Sequence, residues 1–122
     1  MNQSLDGICA EIAKRRGYDY EGLVATSGAP DVFVARFLRG GSLRLEFVLD
    51  RGRGRARLED FDVPYGSVAQ TFCLAKDGHA QVEQFSPFDD GPPWPTKLSV
   101  EEWSRRSLRY FLAHGRLGQV HA

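Results

Sequence analysis

The residues best suited to covalent chemistry do not fall at the spacings that chemistry needs. A nucleophilic serine on a strand-to-helix elbow sits in Gly-x-Ser-x-Gly. Ser27, Ser42 and Ser67 each carry at most one of those two glycines at the required offset. Gly52-Arg53-Gly54 is too short for a dinucleotide-binding loop and reads as a hairpin tip. Zinc takes three or four Cys, His or acidic ligands at usable spacing. His79, His114 and His121 are isolated, and Cys9 and Cys73 are far apart. Carboxylates cluster at Glu59/Asp60/Asp62 and at Asp89/Asp90. Acid–base catalysis needs two carboxylates in unlike environments, and loop acids are ordinarily solvated. His114, near a helix C-terminus, suits a dipole contact better than a general base. The sequence therefore assigns no catalytic residue, metal ligand or cofactor, and the chain is read as non-enzymatic.

Two groups fit binding instead. Arg51, Arg53, Arg55 and Arg57 are spaced by two, so an extended strand would place them on one face. Arg44 on the preceding strand is expected near them. Such a ladder is either a solvated outer face or a basic patch for RNA, DNA or an acidic protein surface. Single-stranded nucleic acid would call for interleaved aromatics, and none occurs between Arg55 and Phe61. The second group is the loop of Asp89, Asp90 and Trp94. Its tryptophan lies in Pro92-Pro93-Trp94-Pro95, an aromatic in a stiff segment ringed by charge, as interface anchors are. The alternative is that Trp94 folds back onto the edge of the core. Both groups are candidate partner-binding residues, and the acidic loop suits the phosphate-holding cleft of a nuclease.

These groups must be held by regular elements, and the pattern predicts which. Leu5, Ile8, Cys9, Ile12 and Ala13 make a helical stripe over 5–16, with Ser4 as cap and Gly17 as stop. Tyr18, Tyr20, Leu23 and Val24 suggest an edge strand, and 26–30 is turn chemistry. Residues 31–38, 43–50 and 55–61 read as a three-stranded antiparallel meander with turns at 39–42 and 51–54. Over 67–85 two readings compete. Ser67 and Gln70 have capping-box spacing, but Asp77-Gly78 between apolar runs favours a hairpin. The proline-rich 86–97 excludes helix and central strand and reads as an extended loop. Ser99 and Glu102 cap a last helix over 100–114, Leu98 and Trp103 staple it, and Gly115 ends it. The expected fold is α+β: an antiparallel meander of about four or five strands, with an N-terminal and a C-terminal helix packed on one face. It forms one domain over 1–122, with 116–122 a frayed tail.

Bulk properties set outer limits. The chain has 122 residues, 42% hydrophobic and 26% charged, which is globular composition for one domain. Sixteen basic residues balance sixteen acidic ones, which argues against a nucleic-acid partner. The charge is nonetheless segregated: residues 33–58 hold seven Arg against two acids, and 59–95 hold seven acids against Lys76. Cys9 and Cys73 lie in apolar patterns and are expected to be buried free thiols in a reducing, cytoplasmic setting. No signal-peptide pattern and no apolar run of membrane length is present, so no membrane partner is expected. A monomer or weak homodimer is anticipated.

The layout resembles the small bacterial α+β immunity proteins of polymorphic-toxin systems. The resemblance rests on the first helix ending at Arg16-Gly17-Tyr18, the meander around 44–52, the proline-rich stretch and the 99–115 helix. It implies a non-enzymatic protein that neutralises a cognate toxin by direct binding. It carries no residue roles across, because contact residues differ among such proteins. A small enzyme or ligand-binding domain with an unrecognised pocket, or a secretion chaperone or adaptor, is the alternative. Chaperones of that kind tend to be acidic, unlike this chain.

Overall fold

The computed structural model describes residues 4–64, 66–74, 80–85, 94–96 and 98–118, with side chains for 4–64, 66–73 and 98–118. The first helix, α1 (Leu5–Arg16), begins where the Ser4 hydroxyl accepts the Gly7 N–H at 3.0 Å. It stops at Gly17, whose φ of 73° is left-handed. Its buried residues are Leu5, Ile8, Cys9, Ile12 and Ala13, the stripe the spacing predicts.

Among the described residues eight strand segments follow: β1 (Asp19–Tyr20), β2 (Val24–Thr26), β3 (Ala29–Arg39), β4 (Ser42–Asp50), β5 (Arg55–Val63), β6 (Gly66–Leu74), β7 (Ala80–Phe85) and β8 (Trp94–Thr96). They make one antiparallel sheet in the order β1-β3-β4-β5-β6-β7-β8, with β2 also pairing β3. The sheet thus exceeds the expected four or five strands by short segments at its edges. The β3–β4 turn places Gly40 and Gly41 at φ 58° and 81°. Two consecutive left-handed residues twist a two-residue hairpin the way the strands require. Opposite Phe37–Leu38 the register slips, leaving Arg44 as an extra residue on β4.

Residues 66–85 form the hairpin, not a helix, and its turn at 75–79 lies outside the described residues. Ser67 therefore caps nothing, and its hydroxyl donates to Glu59 at 2.9 Å. The proline-rich segment contributes an edge strand. Pro95 pairs with Gln81 there, at a sheet border where a missing N–H is tolerated.

The last helix, α2 (Val100–His114), is capped by Ser99, which accepts the Glu102 N–H at 3.1 Å, and ends at Gly115 with φ 72°. Both helices cover one face of the sheet. Between them lies a core of Ile8, Ile12, Phe37, Phe47, Leu58, Phe72, Trp103, Leu108 and Phe111, all at 0–1% exposure. Each such side chain contributes roughly 1.5–3 kcal/mol by leaving water. Arginines close the helix C-termini. Arg39 donates to the Arg16 carbonyl at 2.7 Å, and Arg16 to the Leu112 carbonyl at 3.0 Å. Cations are favoured there because the terminal carbonyls are unpaired and the helix dipole is negative.

The expected tail is shorter than 116–122. Leu117 is 8% exposed and belongs to the core, and the Gln70 amide donates to the Gly118 carbonyl. A Cβ at Gly118 would collide with the Tyr110 ring. Residues 119–122 lie outside the described residues. No helix among the described residues is long and apolar enough to cross a membrane.

Candidate partner-binding surface

Strand alternation gives each long strand two jobs. On β3, β4, β5 and β6 one set of side chains, including Phe37, Leu45, Leu58 and Phe72, is buried against the helices. The other set faces away, and neither helix covers it. Cross-strand register arranges this open set in rows. Val24 pairs with Val34, Val34 with Val48, Val48 with Arg57, and Arg57 with Thr71. Three valines thus run in line from the sheet edge to its centre and end on a guanidinium. At about 4.8 Å between strands, the row from Val24 to Arg57 spans roughly 14 Å. Val24 is 55% exposed, the one large exposed hydrophobic among the described residues. Val34 and Val48 are half-buried.

Charges flank the row. Arg36 pairs with Glu46 at 3.1 Å and Arg57 with Glu59 at 3.0 Å. Glu59 also accepts the Ser67 hydroxyl. Where the row meets β5, a shallow groove of about 250 Å³ is lined by Val32, Val48, Asp50, Arg55, Arg57 and Thr71. A second groove, about 460 Å³, lies at the edge between Val24, Val34, Arg36, Leu38 and Glu21.

The four candidate arginines separate. Arg51 and Arg53 lie in the turn, so only Arg55 and Arg57 share a strand face. Arg51 is tied to Glu101 at the start of α2 at 2.6 Å, and its guanidinium sits 4.9 Å above the Phe33 ring. Arg53 approaches Asp50 only at 4.0 Å. Asp50 stands directly across from Arg55. Its carboxylate accepts the Arg53 N–H at 3.0 Å. Arg55 is left with no ion pair among the described residues. Arg44 is not near the others. Its bulged position carries it to Asp62, at 3.3 Å, which Arg39 also approaches at 3.5 Å.

Of the second candidate group, Asp89 and Asp90 lie outside the described residues. Trp94 is placed by its backbone in β8, in register with Val82. The acids adjacent in sequence at 59–62 are dispersed. Glu59 is on the open face, Asp60 is buried at 4% exposure, and Asp62 joins the arginines at the helix ends. Cys9 is buried and Cys73 is half-buried on the open-face side of β6; both are free thiols.

The groups whose protonation is displaced belong to the helix side. Burial pushes the Cys9 thiol up to about 12, which leaves it without nucleophilic thiolate near neutrality. Burial also raises Tyr20, whose hydroxyl donates to Asp6 at 2.7 Å, and raises Tyr18. Burial raises the Asp60 carboxyl, opposed by the Asp62 N–H it accepts at 2.9 Å. His114 is exposed and rests 4.2 Å from the Tyr110 ring centroid. Among the described residues no three His, Cys, Asp or Glu gather as a metal site.

The open face can therefore offer aliphatic contact beside a cation. Sequence reasoning named the cation and missed the valines. Their one legible signal is Val48, apolar among the outward Arg44, Glu46 and Asp50 of β4. Comparison with known proteins adds no relative: no family model, no curated protein and no solved structure matches the chain.

Proposed function

We propose that the chain is a non-enzymatic protein-binding domain that acts as an immunity protein, neutralising a cognate bacterial toxin by direct association through the open face of its sheet. The observation that carries this reading is the row Val24–Val34–Val48 ending at Arg57, with Arg55 beside it on the same strand face, on a side of the sheet that neither helix covers. Aliphatic area at the centre with charge at the rim is the make-up of a protein interface. The shallow grooves suit a macromolecular partner better than a small ligand, which is usually enclosed on most of its surface. Matched charge at the rim also speeds association. The cytoplasm is the compartment this reading implies.

The test is co-expression with the product of the adjacent gene, followed by pull-down and a growth-protection assay. Replacing Val34 and Val48 by Lys is expected to abolish both capture and protection. The acidic group Asp89/Asp90/Trp94→Ala is tested in parallel as the second candidate surface. If no toxin is encoded alongside and no product of that locus is captured, the immunity reading falls. If capture survives the valine changes and fails with the acidic-loop change, the binding surface is the loop.

A further inference from the structure

We infer that the groove at the end of the valine row is a carboxylate socket: Arg55 takes an Asp or Glu side chain of a protein partner whose neighbouring aliphatic residues lie along Val48 and Val34. This inference rests on the protein-binding reading above and assigns the chemistry of the segment that docks.

Four observations converge on it. Arg55 is exposed and has no ion pair among the described residues, although Asp50 stands across from it; Asp50 accepts the turn amide of Arg53 instead. Its neighbour Arg57 is held in place by Glu59 at 3.0 Å. The groove between them is floored by Val32, Val48 and Thr71. A guanidinium offers a carboxylate a charge-assisted hydrogen bond, and the aliphatic lining beside it gives the acid's apolar neighbours a contact.

The local charge fixes the class of partner. Arg57 pairs with Glu59 and Arg53 approaches Asp50, which leaves Arg55 as the guanidinium lining the groove with no ion pair among the described residues. One guanidinium matches one carboxylate. A nucleic-acid backbone brings a row of phosphates, and here it would meet Asp50, Glu59 and Glu46 as well. The partner's apolar residues lie within roughly 14 Å of its acid, the length of the row from Val24 to Arg57.

The experiment pans a phage-displayed library of random dodecapeptides on the immobilised full chain, and on its Arg55→Met and Val48→Lys variants after circular dichroism has established their folding. The expected binders carry Asp or Glu next to Val, Ile or Leu. Synthetic versions are expected to lose at least tenfold in affinity on Arg55→Met, on Val48→Lys, and when the peptide acid is changed to its amide. Binders lost on Val48→Lys but indifferent to Arg55→Met would overturn the socket while leaving the face as a binding surface. Binders indifferent to both variants, or none at all, would overturn the socket and count against the face. Two further probes decide the occupant. Tighter, Arg55-dependent binding of a labelled oligo-dT strand would assign the groove to nucleic acid. A concentration-dependent dimer abolished by Val48→Lys, seen by sedimentation, would assign it to a second copy of the chain. Either result overturns the inference.

Discussion

The two faces of the sheet are built from the same strands and obey different physics. On β4, Leu45, Phe47 and Leu49 are at 0% exposure under the helices. The residues between them, Glu46, Val48 and Asp50, are half-buried and face outward. The covered face is selected by packing, where volume and shape are constrained from all sides. The open face is selected by pairing. Its charges are matched across and along strands, Arg36 to Glu46 and Arg57 to Glu59, and Arg55 is the exception. An unmatched cation stands out because its neighbours are matched, and it does so on the face where stability asks least.

Substitutions on neighbouring residues test that division most sharply. Phe47→Ala and Trp103→Ala empty fully buried aromatic sites, and each is expected to cost about 3–5 kcal/mol by urea unfolding. Val48→Ala, one residue from Phe47 and facing the other way, is expected to cost about 1 kcal/mol or less. Equal costs would mean that the open face is covered after all. Ser107 probes the covered face from the opposite side. It is 2% exposed, and its hydroxyl has no partner among the described residues. Ser107→Ala removes a desolvated hydroxyl and improves helix propensity, so a gain of roughly 1 kcal/mol in unfolding free energy is expected. A loss would mean that the hydroxyl is engaged.

Asp60 is the charged residue on the covered face, and its contribution depends on pH. Burial raises its carboxyl, so the folded state holds the proton more tightly than the unfolded chain does. Stability from this group is fullest below the unfolded carboxylate range and is lost as pH rises through the raised folded value. Asp60→Asn keeps an acceptor for the Asp62 N–H and has no charge to bury. Its stability relative to wild type is expected to improve from about pH 4 to about pH 7, read from urea midpoints. A difference that stays flat would place Asp60 in water. The smallest effect belongs to Arg55→Met. With no ion pair to lose, it is expected to stay within about 0.5 kcal/mol of wild type. A larger loss would reveal a structural partner and weaken the case for a socket.

Local patterns reached the helices and most strand boundaries. Ser4 and Gly17 bracket α1, and Ser99 and Gly115 bracket α2, as their spacing predicts. Cap chemistry acts within four residues and needs no tertiary context. The alternation Leu43–Asp50 likewise announced a strand with one dry face. The ambiguous 67–85 segment was settled by pairing with β5, a contact beyond the reach of any local window.

The sequence by itself determined the α+β layout, the helix ends and which residues of the meander face inward. Each of these follows from a repeat of two or 3.6 residues or from a cap, and those are short-range properties of the chain. Tertiary structure alone decided the rest. The bulge at Arg44 sent that side chain to Asp62, and Leu117 and Gly118 docked under the core where a loose end was expected; the break of the arginine ladder, by contrast, was already legible in the turn signal at 51–54. Register did the same for the open face, where Val24, Val34 and Val48 come from three strands and meet only because of how those strands pair. A period fixes which face a side chain takes. Which residues become neighbours on that face depends on turns, bulges and pairing summed over the whole sheet.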